Sequence, residues 1–196
     1  FPDTVIHIDC NAGYTLDDID TFRAIDEFGL AFIEQPLSWH DVLDHAELAR
    51  QIETPICLDE SAQELRVVEQ ALEIGACHYV NIKPGRSGGL TRSVKIHDMC
   101  RDHGVPVWIG GMLESSVGAG LLVELATLPN FTYPGDILPS SKFYVQDLAT
   151  PAVELTDNLT VAPFMDGLPE PDEDRLATML VRSASVTMDD VVSDLH

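Results

Sequence analysis

Asp9, Glu34, Asp59 and Lys83 follow one another at intervals of 25, 25 and 24 residues. Each stands at or near the end of a short apolar run: VIHID (5–9), AFIEQP (31–36), ICLDES (56–61) and VNIKPG (80–85). In a parallel barrel the C-terminal strand ends share one rim, where active sites lie, and one repeat step moves one strand around that rim. The three carboxylates are therefore expected to converge on one point. Bare carboxylates held together repel, and a divalent cation removes that cost. An all-oxygen ligand set selects a hard ion, Mg²⁺ ahead of Zn²⁺, with Mn²⁺ also suited. Lys83, one strand further on, is expected to point inward and face the ion as a catalytic group. Polar residues end strands in most proteins, so one such Asp signifies little; the shared register of all four carries the reading.

The elements that must position these residues alternate regularly. Strands are expected at 5–9, 30–36, 55–60, 79–84, 106–112 and 131–136. Helices are expected at 16–29, 41–52, 62–74, 90–104 and 116–127, three of them closed by Gly29, Gly75 and Gly104. Continuous βα alternation implies a parallel sheet with helices outside, and runs apolar throughout suit strands covered on both faces. No GxGxxG follows the first strand, which weakens a dinucleotide-binding open sheet. The expected fold class is α/β, a partial (β/α)8-type barrel. A complete barrel takes about 250 residues, so these six strands are read as strands three to eight, with roughly two βα units expected before Phe1. Residues 1–136 are assigned to the barrel and 137–196 to a C-terminal extension packing on the barrel or a capping region. Within that extension, short strands are expected at 141–148 and 159–163 and a helix at 170–184, with the last dozen residues frayed.

Composition narrows the classes of partner. The 196 residues suit one domain, and 45% of them are hydrophobic. The formal charge is −22, with only three lysines; such a surface repels nucleic acid and anionic membrane, and it also suits a salt-adapted host. No apolar run reaches the roughly 18 residues of a membrane span, and no basic region precedes an apolar stretch at the N-terminus. Cys10, Cys57, Cys77 and Cys100 form no CxxC pair and lie in or beside apolar runs, which points to free thiols in a reducing cytoplasm. The remaining partners are a homo-oligomer or a missing N-terminal portion.

The motifs IDCN (8–11), IEQP (33–36), LDES (58–61), NIKPGR (81–86) and GGMLES (110–115) resemble the enolase superfamily, and more narrowly its muconate-lactonizing subgroup. GGMLES followed by FTYPGD (131–136) resembles the o-succinylbenzoate synthase / N-acylamino acid racemase family. The resemblance implies that Asp9, Glu34 and Asp59 hold Mg²⁺, which binds the substrate carboxylate. Lys83 then helps to stabilise the enediolate formed when the proton α to that carboxylate is removed. The implied activity is o-succinylbenzoate synthesis, a carbon–oxygen lyase step towards menaquinone. The alternatives are N-acylamino acid racemisation at the same site and an inactive fragment; dipeptide epimerisation ranks lower, because FTYPGD shows a single acid. The family's principal base is a Lys-x-Lys pair upstream of the first ligand, yet no lysine precedes Lys83. By resemblance the chain is the C-terminal part of a longer enzyme, inactive and marginally folded alone.

Further candidates accompany these. Asn11 is a candidate to assist metal or substrate, and Glu60 to hydrogen-bond a lysine across the rim. Gly110 and Gly111 are expected to let the backbone approach substrate, with Met112, Glu114 and Ser115 lining the pocket or supporting it. Asp136 is a weaker supporting candidate. His7 is read as structural, and Trp39 and His40 as a gate or as ordinary surface packing.

Overall fold

The computed structural model describes residues 4–182. Five strands, β1 (Ile8–Asp9), β2 (Ile33–Glu34), β3 (Ile56–Leu58), β4 (Tyr79–Ile82) and β5 (Val107–Ile109), form one parallel sheet in chain order. The register sets Asp9 beside Glu34, Glu34 beside Cys57 and Ile82 beside Ile109. The sixth expected strand runs along β5 with less regularity. Phe131 bridges Val107, and the N–H groups of Thr132 and Asp136 donate to the carbonyls of Val107 (3.2 Å) and Ile109 (2.9 Å).

Helices α1 (Ile19–Asp26), α2 (Val42–Ala49), α3 (Leu65–Ile74), α5 (Leu90–Asp102) and α6 (Ser116–Leu125) alternate with the strands, each within the range its periodicity predicts. A single-turn helix, α4 (Pro84–Ser87), follows Lys83 directly. Local chemistry sets several ends. The Asp41 carboxylate caps α2 by accepting from Leu43 and Asp44 N–H at 3.0 Å. Gly75, at φ 70°, closes α3 in the left-handed conformation.

Alternation along each strand sorts the buried side chains into two sets. Ile33, Ile56, Leu58, Val80, Ile82 and Val107 face the helices and pack with Phe22, Leu48, Val68 and Ile96 in the main core. Phe32, Cys57 and Trp108 lie on the inner face with Tyr79 and Tyr133. Phe32 is the hub there, with ring centroids 4.6 Å from His7 and 4.9 Å from both Tyr79 and Tyr133. Further towards the C-terminal rim, the same face carries Asp9, Glu34, Asp59, Asn81, Lys83 and Gly110. The inner surface is thus an aromatic floor beneath a polar layer. β1 is an edge among the described residues, with Val5 and Ile6 exposed. All four cysteines are free, and no helix among the described residues is long and apolar enough to cross a membrane.

The last third departs from expectation. Residues 141–148 form no strand; a 3-10 turn at Ser140–Lys142 leads into irregular chain in which Phe143 and Val145 face solvent. Residues 159–163 also form no strand. The pairing found is β6 (Ala149–Thr150) antiparallel to β7 (Glu170–Pro171). The expected helix at 170–184 is shorter, α7 (Glu173–Met179), because Pro171 is in β7 and Asp172 caps the first turn by accepting from Arg175 N–H at 3.0 Å. Residues 183–184 of that helix, and the expected frayed dozen, lie outside the described residues.

Candidate functional site

The polar layer opens into a cavity of about 550 Å³, whose lining includes His7, Asp9, Glu34, Asn81, Lys83 and Asp136, with Trp108 and Tyr133 beneath. Asp9 ends β1 in an exposed position. Asn11 holds it from two sides, donating from its backbone N–H (2.9 Å) and its side-chain amide (2.7 Å). Asn11 reaches this position in the left-handed region, at φ 44°.

Glu34 is only 3% exposed and accepts from Asn81 Nδ2 at 2.8 Å. Burial pushes its carboxyl up to about 7, and the charges of Asp9 and Glu60 add to that push. The Asn81 hydrogen bond and the Lys83 charge pull the other way. Asp59, also buried, is paired with two cations: Lys83 Nζ donates to Oδ2 at 2.9 Å, and Arg86 engages Oδ1. The side chains of Lys83 and Arg86 are themselves largely covered, at 15% and 23% exposure. The three carboxylates therefore end adjacent strands on one rim, each held by its own neighbour. The expected convergence on one point is not seen: among the described residues no three His, Cys, Asp or Glu side chains group closely enough to hold a metal ion, because Asp59 is turned to Lys83 and Arg86.

Glu60 Oε2 and Asn81 Oδ1 are buried without a hydrogen-bond partner, and each belongs to the group surrounding Glu34. These unpartnered oxygens, with the carboxylates of Asp9, Glu34 and Asp59, make an oxygen ligand set that fits a hard divalent cation.

The remaining candidates divide. Glu60 does not reach a lysine; its side-chain contact is Asn11 Nδ2 at 3.4 Å. A β-carbon on Gly110 would collide with the side chains of Asn81 and Lys83, and one on Gly111 with the Asp136 carbonyl. Both glycines thus make room for site residues packed against the backbone. Met112, Glu114 and Ser115 do not line the cavity: Met112 is 60% exposed and its N–H donates to Glu114 Oε2 at 2.7 Å, while Ser115 precedes α6 without a side-chain capping bond. Asp136 does line it. His7 packs on Phe32, and its Nδ1 is 2.9 Å from the Tyr133 hydroxyl. Burial lowers its pKa, against the charges of Asp9 and Asp136, and its Nε2 lies 4.0 Å from Glu34. Trp39 and His40 pack against each other, their rings tilted, beside a separate cleft bordered by Val42, Ser61 and Gln70. A further cavity of about 320 Å³ beside α6 is lined by no ionisable residue.

Sequence reasoning missed Asn81 and Arg86 as contributors, although both lie in NIKPGR. Asn81 stands two positions before Lys83 and so shares its face. Gln35, inside IEQP, was missed as well.

The family model described as enolase C-terminal domain-like matches residues 1–169. The chain belongs to that family. This enolase-family chain is 47% identical to an o-succinylbenzoate synthase from Geobacillus stearothermophilus, over 86% of its own length and 45% of the relative's. It is 51% identical to an N-succinylamino acid racemase from Amycolatopsis, over 77% and 41%. Among solved structures, a probable mandelate racemase from Alicyclobacillus acidocaldarius superposes with a TM-score of 0.83 at 32% identity, covering 93% of this chain and 48% of that one. A Listeria innocua enolase-superfamily member gives 0.82 at 36%, covering 91% and 48%. The chain thus spans less than half the length of these relatives, and its sheet is an arc of their barrel.

Proposed function

We propose that this enolase-family chain carries the metal- and lysine-bearing part of an o-succinylbenzoate synthase site. The observation that carries the reading is Lys83, inside the arc on the rim shared by Asp9, Glu34 and Asp59, with its ammonium on Asp59. Sequence similarity to relatives named for that activity supports it. N-succinylamino acid racemisation is the second reading, favoured by the 51% identity to the Amycolatopsis racemase.

Asp9, Glu34 and Asp59 are the residues to hold Mg²⁺, which when bound would take the substrate carboxylate and offset the charge that develops as its α-proton leaves. Binding would require Asp59 to share an oxygen now held by Lys83 or Arg86. Lys83 stands at the cavity wall. In a racemisation it removes or returns the α-proton on one face; in the dehydration its ammonium stabilises developing negative charge. Phe32, Trp108 and Tyr133 pack together as the aromatic floor of the site. No lysine precedes Lys83, so the Lys-x-Lys base implied by the family is a step these residues do not perform.

The test is a chimera in which the matched segment replaces its counterpart in the Geobacillus synthase, whose own upstream base is retained. With Mg²⁺ the chimera is expected to form o-succinylbenzoate and to lose activity to a chelator. Lys83→Ala in the chimera is expected to cut N-succinylamino acid racemisation about 10²- to 10⁴-fold. A loss below about threefold, far under the usual contribution of an acid–base group, would remove Lys83 from the chemistry.

A further inference from the structure

We propose that Gln35 is a positioning residue for the metal site, fixing Glu34 and Asp59 relative to each other; this rests on the metal reading above. Gln35 directly follows Glu34 and is fully buried. Its φ of 33° is in the left-handed region, a strained state for a residue with a β-carbon unless its surroundings enforce it.

The surroundings do so at both ends of the residue. Its backbone N–H donates to the Cys57 carbonyl (2.8 Å), two residues before Asp59, and its carbonyl accepts from Ala12 N–H (2.8 Å), three residues after Asp9. Its side-chain Oε1 accepts from the N–H groups of Asp59 and Ser61, each at 3.0 Å. Its Nε2 lies within donating distance of Ser61 Oγ (2.8 Å), the Leu37 carbonyl (3.1 Å) and His45 Nε2 (3.3 Å). One residue therefore ties together the chain at all three proposed ligands.

The amide can be oriented only one way. Two backbone N–H groups require its oxygen, and the Leu37 carbonyl requires its nitrogen. His45, itself fully buried, supports this arrangement. Its Nδ1 is 2.6 Å from the Asp41 carbonyl and so carries the proton, leaving the Nε2 lone pair to accept from Leu37 N–H (3.3 Å), with Gln35 Nε2 beside it. Methionine at 35 keeps the volume but leaves the Asp59 and Ser61 N–H groups without acceptors. Glutamate keeps an acceptor for them but sets a carboxylate against the Leu37 carbonyl.

The experiment titrates the chimera described above with Mn²⁺ alone, as parent and as Gln35→Met, and follows amide exchange at Asp59 and Ser61. Val68→Ala, a core truncation on α3 away from these contacts, is the control for general destabilisation. Gln35→Met is expected to weaken Mn²⁺ binding about 10- to 100-fold and to speed exchange at both amides, while Val68→Ala leaves affinity unchanged. Unchanged affinity in Gln35→Met overturns the proposal, and so does an equal loss in Val68→Ala. If Gln35→Met does not fold, Ser61→Ala decides, since it removes one acceptor of the Gln35 amide. About threefold weaker binding is expected there, and none overturns the proposal. A parent that takes up no Mn²⁺ removes the metal reading itself, and the positioning role falls with it.

Discussion

A β-carbon at position 110 would meet the Asn81 side chain and the far end of Lys83. The two side chains can shift, whereas the strands cannot, so Gly110→Ala is expected to leave the fold intact and to displace Lys83 from Asp59 and Asn81 from Glu34. In the chimera this should melt within a few degrees of the parent yet lose about 10²-fold in racemisation. A variant that unfolds, or one with full activity, would show that Gly110 does not serve Lys83. The placement of the four principal residues on one rim was legible in the sequence because their spacing equals the repeat length. Asn81, Arg86 and Gln35 were not, because their roles depend on partners across strands: Glu34, Asp59 and Ser61. Glu60 was misread for the same reason, since its contact is set by the loop that carries Asn11. Met112 and Ser115 were read from a motif without regard to where the loop after β5 carries them.

At the scale of elements, α6 shows how the last third of the chain is anchored. Asp147 is buried at its N-terminus and accepts from Ser116 N–H (3.0 Å), Ser116 Oγ (2.9 Å) and Ala149 N–H (2.8 Å). The free N–H groups and positive dipole end of a helix favour an anion there. Burial alone would raise the Asp147 carboxyl, but hydrogen bonds from Ser140, Ala149 and Ser116 outweigh it and hold the group below its usual value. A carboxyl depressed in the folded state adds stability above its unfolded pKa of about 3.9 and loses it as pH falls through the folded value. Asp147→Asn is therefore expected to cost about 1–3 kcal/mol at pH 7, with the deficit shrinking at pH 3. Urea denaturation at both pH values checks this, and a deficit that persists at pH 3 would contradict the ionic role. The strands and helices up to 127 were legible from periodicity. The segment around Asp147 was not, since FYV (143–145) has strand composition while Val145 faces solvent and the inward residue is an acid.

For the whole molecule, the parallel arc was legible because helix and strand periods alternate at the repeat length, whereas the sixth segment's irregular course depends on packing against β5. Charge acts at this scale too. The chain has 33 acidic residues against 11 Lys and Arg. Lys83 and Arg86 are both committed to Asp59. On the surface, Arg23, Arg50, Arg66, Arg101 and Arg175 pair with acids three residues away along their own helices, contacts that contribute little individually. The excess negative charge repels itself across the fold. Salt shortens the range of that repulsion, from a Debye length of about 10 Å at 0.1 M to about 3 Å at 1 M. The melting temperature is therefore expected to rise as KCl goes from 0.1 to 1 M, and by more than sucrose of equal osmolality achieves. Glu73→Lys, Glu154→Lys and Asp166→Lys, all at exposed positions, each add two units of charge. Combined, they are expected to raise the melting temperature at 0.1 M KCl and to flatten its dependence on salt. A melting temperature indifferent to KCl in the parent, or an unchanged salt slope in the triple variant, would mean that local pairing already balances the charge and that the acidic surface has no part in setting stability.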